Sequence, residues 1–317
     1  MKTGLAGAAL ATTTALTWGG QFVVGKSALG RVDAFPLTTI RYALAALVLL
    51  ALLVAVEGWR ALRLDGQGWR LLWLGALGFA GFNLLAYTGL EHAKPQSAAL
   101  VVGLGPLLTA LVLWLRSRIR PSKATFGALA AALAGVALVI SGGHPTTILT
   151  GSIGYGDALV LGGVLAFVIY TIGASQFPGL SPLRFTALTA GLGWLAIAAV
   201  TIVTTASGLT PLPSASGVWA VSPQILYLSL LGGSLAVVTW NASVGLIGPQ
   251  NASLFGNLIP VTTFAIEIVR GYRPGAVELG GAALTITALL THNLLQRRAA
   301  RRPVVARRVE SALAEAA

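Results

Sequence analysis

The strongest constraint on this chain is a succession of apolar runs, each close to 20 residues long and separated by short polar, glycine- or proline-bearing breaks. A hydrocarbon core about 30 Å thick is crossed by about 20 residues of helix, and every backbone N–H and C=O inside it must be satisfied within the segment. Ten runs of this kind are found, roughly at residues 4–29, 35–56, 69–90, 95–115, 124–142, 154–177, 182–206, 221–247, 250–269 and 276–295. The breaks are a charged stretch at 57–68, turns at 91–95 and 142–145, a basic loop at 116–123 and a proline-bearing loop at 211–213. The predicted fold is an all-α polytopic membrane protein with ten transmembrane helices. Composition agrees: 9% of residues are charged, against roughly 25% in soluble domains, so the chain has too few charges to cover a water-facing surface. Little sequence lies outside the runs, which leaves no room for a separate soluble catalytic domain. The first run exceeds 20 residues and has no polar domain behind it, so it is expected to be a span and not a cleaved signal peptide.

The net charge of +12 would suggest a nucleic-acid partner in a soluble protein. Here its distribution gives an orientation, because short cytoplasmic loops retain lysine and arginine. With the N-terminus inside and ten spans, 15 of the 21 bases fall on the cytoplasmic side, among them Arg60, Arg63, Arg70, Arg116, Arg118, Arg120, Lys123, Arg184 and six arginines from Arg297 to Arg308. Lys26, Arg31, Arg41, Lys94, Arg270 and Arg273 fall on the other side. Both termini are thus expected in the cytoplasm, and the basic tail 297–317 is expected to lie on anionic lipid and not on nucleic acid. Trp59, Trp69, Trp73, Trp114 and Trp219 lie near proposed span ends, where amphipathic rings favour the headgroup layer, whereas Trp18, Trp194 and Trp240 lie deep in their spans.

The chain also repeats itself. The fourth run begins Pro95-Gln96-Ser97-Ala98-Ala99-Leu100 and continues to Leu104 and Pro106; the ninth begins Pro249-Gln250-Asn251-Ala252-Ser253-Leu254 and continues to Leu258 and Pro260. These are six identities in twelve positions at a constant offset of 154. Arg120-Pro121 with Gly127 recurs as Arg273-Pro274 with Gly280, and Pro36-Leu37 as Pro182-Leu183. The expected organisation is a five-helix repeat at 1–148, a second at 149–296 and the tail. Five crossings are odd, so the second copy enters the bilayer from the opposite side. Inverted repeats of this kind build carriers whose substrate site lies near the midplane between the halves.

Ten spans in two such repeats, each with a P-x-x-A-x-L run in its fourth helix and a proline near that helix's middle, resemble the drug/metabolite transporter superfamily, EamA type, over residues 1–296. Within it the sequence is similar to the YddG-like aromatic amino acid exporters of bacterial inner membranes. That resemblance implies efflux of phenylalanine, tyrosine, tryptophan and related amphiphiles by a multi-pass inner-membrane carrier, and a cavity formed by helices one, three, four, six, eight and nine. Many EamA repeats place a glutamate after a glycine at the end of the fourth helix; Arg116-Ser117-Arg118 and Arg270-Gly271-Tyr272 stand there instead, so no role of that acid carries over.

Candidate lining residues follow from spacing on those helices. Phe79, Asn83 and Tyr87 recur every four residues and share a helical face. Asn241 matches Tyr87 at the 154 offset, with Trp240 beside it; Trp18 matches Tyr170 at an offset of 152, with Gln21 near Trp18; Gln250, Leu254 and Asn257 form a stripe on the ninth helix. Aromatic rings suit the ring of an aromatic amino acid and its ammonium, and amide dipoles suit its charged ends. The competing reading for each ring or amide is ordinary helix packing and interhelical hydrogen bonding.

No cofactor is expected. The absence of cysteine excludes disulfides, thiolate metal sites and a cysteine nucleophile, and the scattered His92, His144 and His292 make neither a metal site nor an enzyme's catalytic cluster. Gly20 to Ser27 fits the G-x-x-x-x-G-K-[ST] pattern of a phosphate loop, but it continues an apolar run and lacks the strand–loop–helix context. A channel needs rings of charge or carbonyls, which are absent. Of the intramembrane charges, Glu267 is placed to pair with Arg270 three residues on, while Lys26, Arg41 and Asp157 are expected to reach headgroups or water from near span ends. With no carboxylate at the midplane, a facilitative monomeric carrier is expected. The alternative is export of other small metabolites or cationic drugs, with proton coupling.

Overall fold

The structure, a computed structural model, describes residues 2–118, 123–141, 144 and 154–291. His292 and the basic tail lie outside the described residues. The long helices among the described residues are α1 (Lys2–Leu29), α2 (Ala34–Glu57), α3 (Gly68–His92), α4 (Pro95–Arg116), α5 (Lys123–Ser141), α6 (Tyr155–Ala174), α7 (Pro182–Ala206), α8 (Ser222–Ile247) and α9 (Asn251–Val269), with the shorter apolar α10 (Ala276–Thr291). Eight, α2 to α9, are long and apolar enough to cross a membrane. α1 has 28 residues, about 42 Å at 1.5 Å per residue, but is diluted by threonines. Their hydroxyls donate back along the helix, as from Thr12 to the Ala8 carbonyl at 2.9 Å and from Thr17 to that of Thr13 at 2.8 Å, which removes the cost of placing them in an apolar layer.

Local chemistry sets the helix ends. The Asp33 carboxylate accepts from the Phe35 N–H at the start of α2, and Gly58 at φ 79° ends it. Ser181 accepts from the Arg184 N–H, with Pro182 in the first turn of α7, where a missing N–H is harmless. Arg184 also donates to the Ala61 and Arg63 carbonyls and pairs with Asp65 at 2.7 Å, tying the 58–67 connection to α7. Trp59, Trp69, Trp73 and Trp219 are exposed at span ends.

Each half packs on the other in a pattern unchanged by exchanging them. α1 lies on α8 as α6 lies on α3; α1 on α9 as α6 on α4; α2 on α8 as α7 on α3; and α2 packs on α7, and α4 on α9, directly. α2 and α7 run antiparallel, with Thr39 bonded to Thr201 and Leu50 against Gly191. α5 and α10 do too, with Ala132 against Thr285 and Leu138 against Gly281. Glycines permit the closest crossings: a Cβ on Gly75 of α3 would lie 2.4 Å from the Thr189 carbonyl oxygen of α7, and one on Gly193 2.6 Å from that of Gly75. Gly20, which opens the phosphate-loop pattern, and Gly19 just before it belong to uninterrupted α1 and meet Tyr227 and Thr262 in the same way, so their role is helix packing.

Four helices are irregular at two pairs of matching positions. α3 is π-helical at Ala76–Gly81 and α8 at Tyr227–Leu235. α4 is interrupted at Leu104, between Pro95–Gly103 and Gly105–Ser117, and α9 tightens to a 3-10 turn at Leu254–Asn257 before Leu258–Val269. Pro106 follows Leu104 by two residues and Pro260 follows Asn257 by three. Each lacks an N–H, and its ring crowds the carbonyl four residues earlier, which accounts for the interruption.

Three intramembrane charges differ from expectation. Arg41 is wholly buried and does not reach the headgroups. Asp157 is buried and accepts from the Ser97 hydroxyl of α4 instead of reaching water. Lys26 turns to the Leu90 and Glu91 carbonyls at 2.6 and 2.9 Å, closing the end of α3. Glu267 and Arg270 pair at 2.9 Å.

Candidate functional site

Where the two broken helices meet α1, α3, α6 and α8, the packing leaves a cavity. Trp18, Gln21 and Phe22 of α1 face Phe82 of α3, Val164, Phe167, Val168 and Thr171 of α6, and Trp240 of α8. α4 contributes Val102, Gly105, Pro106 and Thr109, and α9 contributes Ser253, Gly256 and Ile259. Both interruptions therefore open onto the same space. Its free volume is about 50 Å³, enough for one or two waters at about 30 Å³ each and far below the roughly 300 Å³ of a small-molecule site. In this conformation the cavity is closed down.

Its wall is an aromatic cluster centred on Phe167. That ring lies 5.3 Å from Trp18, edge-on, 5.3 Å from Phe82 and 6.0 Å from Trp240, while Trp18 and Trp240 are 5.4 Å apart. Both indole N–H groups are engaged, Trp18 with the Gly232 carbonyl at 3.1 Å and Trp240 with the hydroxyl of the lining residue Thr171 at 3.2 Å. The bond to Gly232 ends on the π-helical stretch of α8, so the irregular backbone there receives a side-chain donor. Gln21 is buried, and its Oε1 has no partner. The site is thus an apolar, ring-lined space with the amide of Gln21 at its edge, its unpartnered Oε1 lying against Gly232 of α8.

Of the residues singled out from spacing, Trp18, Gln21 and Trp240 line this cavity. Tyr170 and Phe79 form a layer behind it: Tyr170 lies 5.5 Å from Phe167, tilted, and 5.5 Å from Phe79, edge-on, and Phe79 meets Tyr42 edge-on at 5.4 Å. Asn83 and Tyr87 are buried and turn toward Arg41. Asn257 is buried beside Gly256 at the α9 break, outside the wall, with neither amide atom partnered. Asn241 donates to the Tyr170 and Thr186 hydroxyls at 2.8 Å each. It sits in a second space of about 600 Å³, a vestibule between the α6–α7 connection and the end of α8, with Phe177, Pro182, Phe185 and Gly248.

Phe82 and Phe167, which make the wall, escaped the spacing argument. Phe79, Asn83 and Tyr87 do share a face of α3, but it is the face turned to Tyr42 and Arg41 of α2; Phe82, about 100° from Asn83 around the helix, is the residue turned to Phe167 of α6. Phe167 lies three residues before Tyr170 on α6, a helix whose nearly continuous apolar sequence hides which face meets a cavity.

Comparison with known proteins adds the following. The EamA-like transporter family model matches residues 5–141 and again 154–294. The chain is 29% identical over 296 residues, 92% of each chain, to the "Uncharacterized transporter YrdR" of Bacillus subtilis (strain 168). It is 31% identical over 275 residues, covering 86% of this chain and 88% of the relative, to the "Uncharacterized transporter YyaM" of the same organism. A crystal structure with 23% sequence identity shares the fold, with a TM-score of 0.65 over 94% of this chain and 98% of that one.

Proposed function

Because the chain belongs to the EamA-like transporter family, we propose that this membrane transporter is a facilitative carrier that exports aromatic amino acids and related small amphiphiles by alternating access. The observation that carries the substrate class is the ring-lined cavity. Trp18, Phe82, Phe167 and Trp240 offer aromatic faces and edges, and Gln21 an unpartnered acceptor, at the one place where both broken helices converge. Each ring-to-ring contact with a cargo contributes about 0.5–1.5 kcal/mol beyond burial, which favours phenylalanine, tyrosine and tryptophan over aliphatic amino acids.

Two inverted five-helix repeats, 1–148 and 149–296, supply the motion. Three observations support them: the antiparallel run of α2 against α7 and of α5 against α10, the exchangeable contact pattern, and the two separate matches to one family model. Rocking one repeat against the other at the matched interruptions of α4 and α9 widens the cavity from its closed volume toward one side at a time. The distribution of bases supports cytoplasmic termini in a bacterial inner membrane, which makes the Asn241 vestibule the cytoplasmic approach. The carrier is proposed to work as a monomer.

Proteoliposomes loaded with tryptophan, phenylalanine, leucine or a quaternary ammonium test this reading: saturable efflux of the aromatic pair ahead of leucine is expected, and equal rates for all four contradict it. One observation favours the alternative, proton-coupled export of other metabolites or cationic drugs. Asp157 is buried against Ser97, and among the described residues no cation pairs with it. Uphill accumulation driven by a pH difference, abolished in Asp157→Asn, establishes that alternative in place of the facilitative carrier.

A further inference from the structure

The charge that the ring-lined cavity leaves unused is Arg41. It lies on α2 seven residues after Ala34, about 10 Å along the helix, and its side chain is entirely buried. One nitrogen, Nη2, donates to the Asn83 Oδ1, and Asn83 is steadied by its own bond to the Phe79 carbonyl at 2.8 Å. The guanidinium lies over the Tyr87 ring at 4.1 Å and the Tyr42 ring at 4.6 Å. No carboxylate answers it: the ion pairs among the described residues are Lys94–Glu278, Arg184–Asp65 and Arg270–Glu267. Nε and Nη1 have no acceptor.

The neighbouring polar atoms are unsatisfied as well. The Tyr87 hydroxyl is buried without a partner, and so is that of Thr38, three residues before Arg41 on the same face of α2. Tyr ring faces offset part of the charge, but a guanidinium has five N–H donors, and an unpaired cation inside a membrane protein is costly and marks a ligand or ion path. A donor-rich site with a single positive charge and hydroxyls alongside matches a monoanion with acceptor oxygens, of which a carboxylate is the natural geometric partner of a guanidinium.

Its place relative to the cavity fits a carried molecule. Asn83, which holds Arg41, directly follows Phe82 of the cavity wall. Gly25, one turn beyond the lining residue Gln21, lies against the Tyr87 ring, where a Cβ would be 3.0 Å from a ring carbon. The guanidinium therefore stands behind the wall, in the first third of α2, with the Tyr42, Phe79 and Tyr170 rings between it and Asn241.

We propose that Arg41, with Tyr87 and Thr38, is the seat for the carboxylate of the carried molecule, reached when Phe82 and the rest of the α3 wall part from α1. The aromatic cavity then holds the body of the cargo and Arg41 its anionic end, so that compounds lacking a carboxylate are carried poorly. This rests on the carrier reading of the cavity but not on the preference for aromatic cargo.

The test compares carboxylate and amide forms of one compound in proteoliposomes: phenylalanine against phenylalaninamide and leucine against leucinamide. The native chain is expected to carry the carboxylate forms at least tenfold faster. Arg41→Gln is expected to bring each pair within twofold by slowing the carboxylate form, with Arg41→Lys between the two. Equal slowing of both forms assigns Arg41 a structural role and overturns the proposal, as does an unchanged ratio. Should Arg41→Gln fail to fold, Tyr87→Phe and Thr38→Val, which keep the packing, are expected to lower the same ratio severalfold. Thermal unfolding of the detergent-solubilised protein with benzoate against benzamide gives a readout free of transport. Stabilisation by benzoate alone, lost in the Arg41 variant or, without it, in Tyr87→Phe, supports the seat, and its absence in the native chain overturns it. Because the leucine pair and the benzoate shift do not depend on ring selectivity, failure of the aromatic reading leaves this result legible.

Discussion

Replacing Trp18 separates the two jobs that the structure gives it. Its ring faces the cavity and touches Phe167 at 5.3 Å and Trp240 at 5.4 Å, while its N–H holds the Gly232 carbonyl at 3.1 Å. Trp18→Leu removes one aromatic surface that a bound ring meets, about 0.5–1.5 kcal/mol, which at RT of about 0.59 kcal/mol is roughly a 2- to 13-fold rise in half-saturation for tryptophan. Leucine as cargo has no ring to lose a partner, and its half-saturation is expected to move less than about twofold. Trp18→Phe keeps a ring and drops only the hydrogen bond, about 0.5–1.5 kcal/mol. It is expected to lower the thermal unfolding temperature while leaving the tryptophan-to-leucine ratio near that of the native chain. Counterflow in proteoliposomes at several cargo concentrations gives the half-saturations, and thermal scanning in detergent gives stability. If Trp18→Leu shifts both cargoes equally, or neither, the ring does not meet the cargo and the reasoning fails.

Other consequences are equally specific. Gly75→Ala puts a Cβ 2.4 Å from the Thr189 carbonyl oxygen, an overpacking cost of about 1–3 kcal/mol, so thermal scanning should show a lowered transition; Gly127→Ala on α5, with nothing within 4 Å, should leave it unchanged or raised. Pro106→Ala and Pro260→Ala restore an N–H to α4 and α9, where an interior proline costs about 3 kcal/mol; efflux assays are expected to show slower turnover without loss of folded protein. The chain has no cysteine, so single cysteines report topology directly. Arg273→Cys should react with an impermeant maleimide on intact spheroplasts and Arg63→Cys only after permeabilisation.

The spans were legible because bilayer thickness fixes their length. α2, α7 and α8 begin and end within two residues of the runs read from hydropathy, and the caps at Asp33, Gly58 and Ser181 sit in the breaks. The interruptions at Leu104 and at Leu254–Asn257 were visible as repeated prolines. The side-chain faces were less so. Spacing puts Phe79, Asn83 and Tyr87 on one face of α3 but does not say which neighbour that face meets: it meets Tyr42 and Arg41 of α2, and Phe82 meets the cavity. Arg41 and Asp157 were read from distance to a span end, a one-dimensional measure. What decides their environment is which helix lies beside them: Asn83 of α3 for Arg41 and Ser97 of α4 for Asp157, neighbours set by packing across the whole chain.

The claim on which the rest depends is that cargo sits in the ring-lined cavity between the two halves. A photoreactive phenylalanine bearing a diazirine, bound to the reconstituted protein and irradiated, tests this by mass spectrometry of the adducts. The account predicts adducts on the segments containing Trp18, Phe82, Phe167 and Trp240, suppressed by excess tryptophan. Labelling confined to the lateral groove between α2 and α7, at Leu47, Leu50 and Leu195, and indifferent to tryptophan, contradicts it.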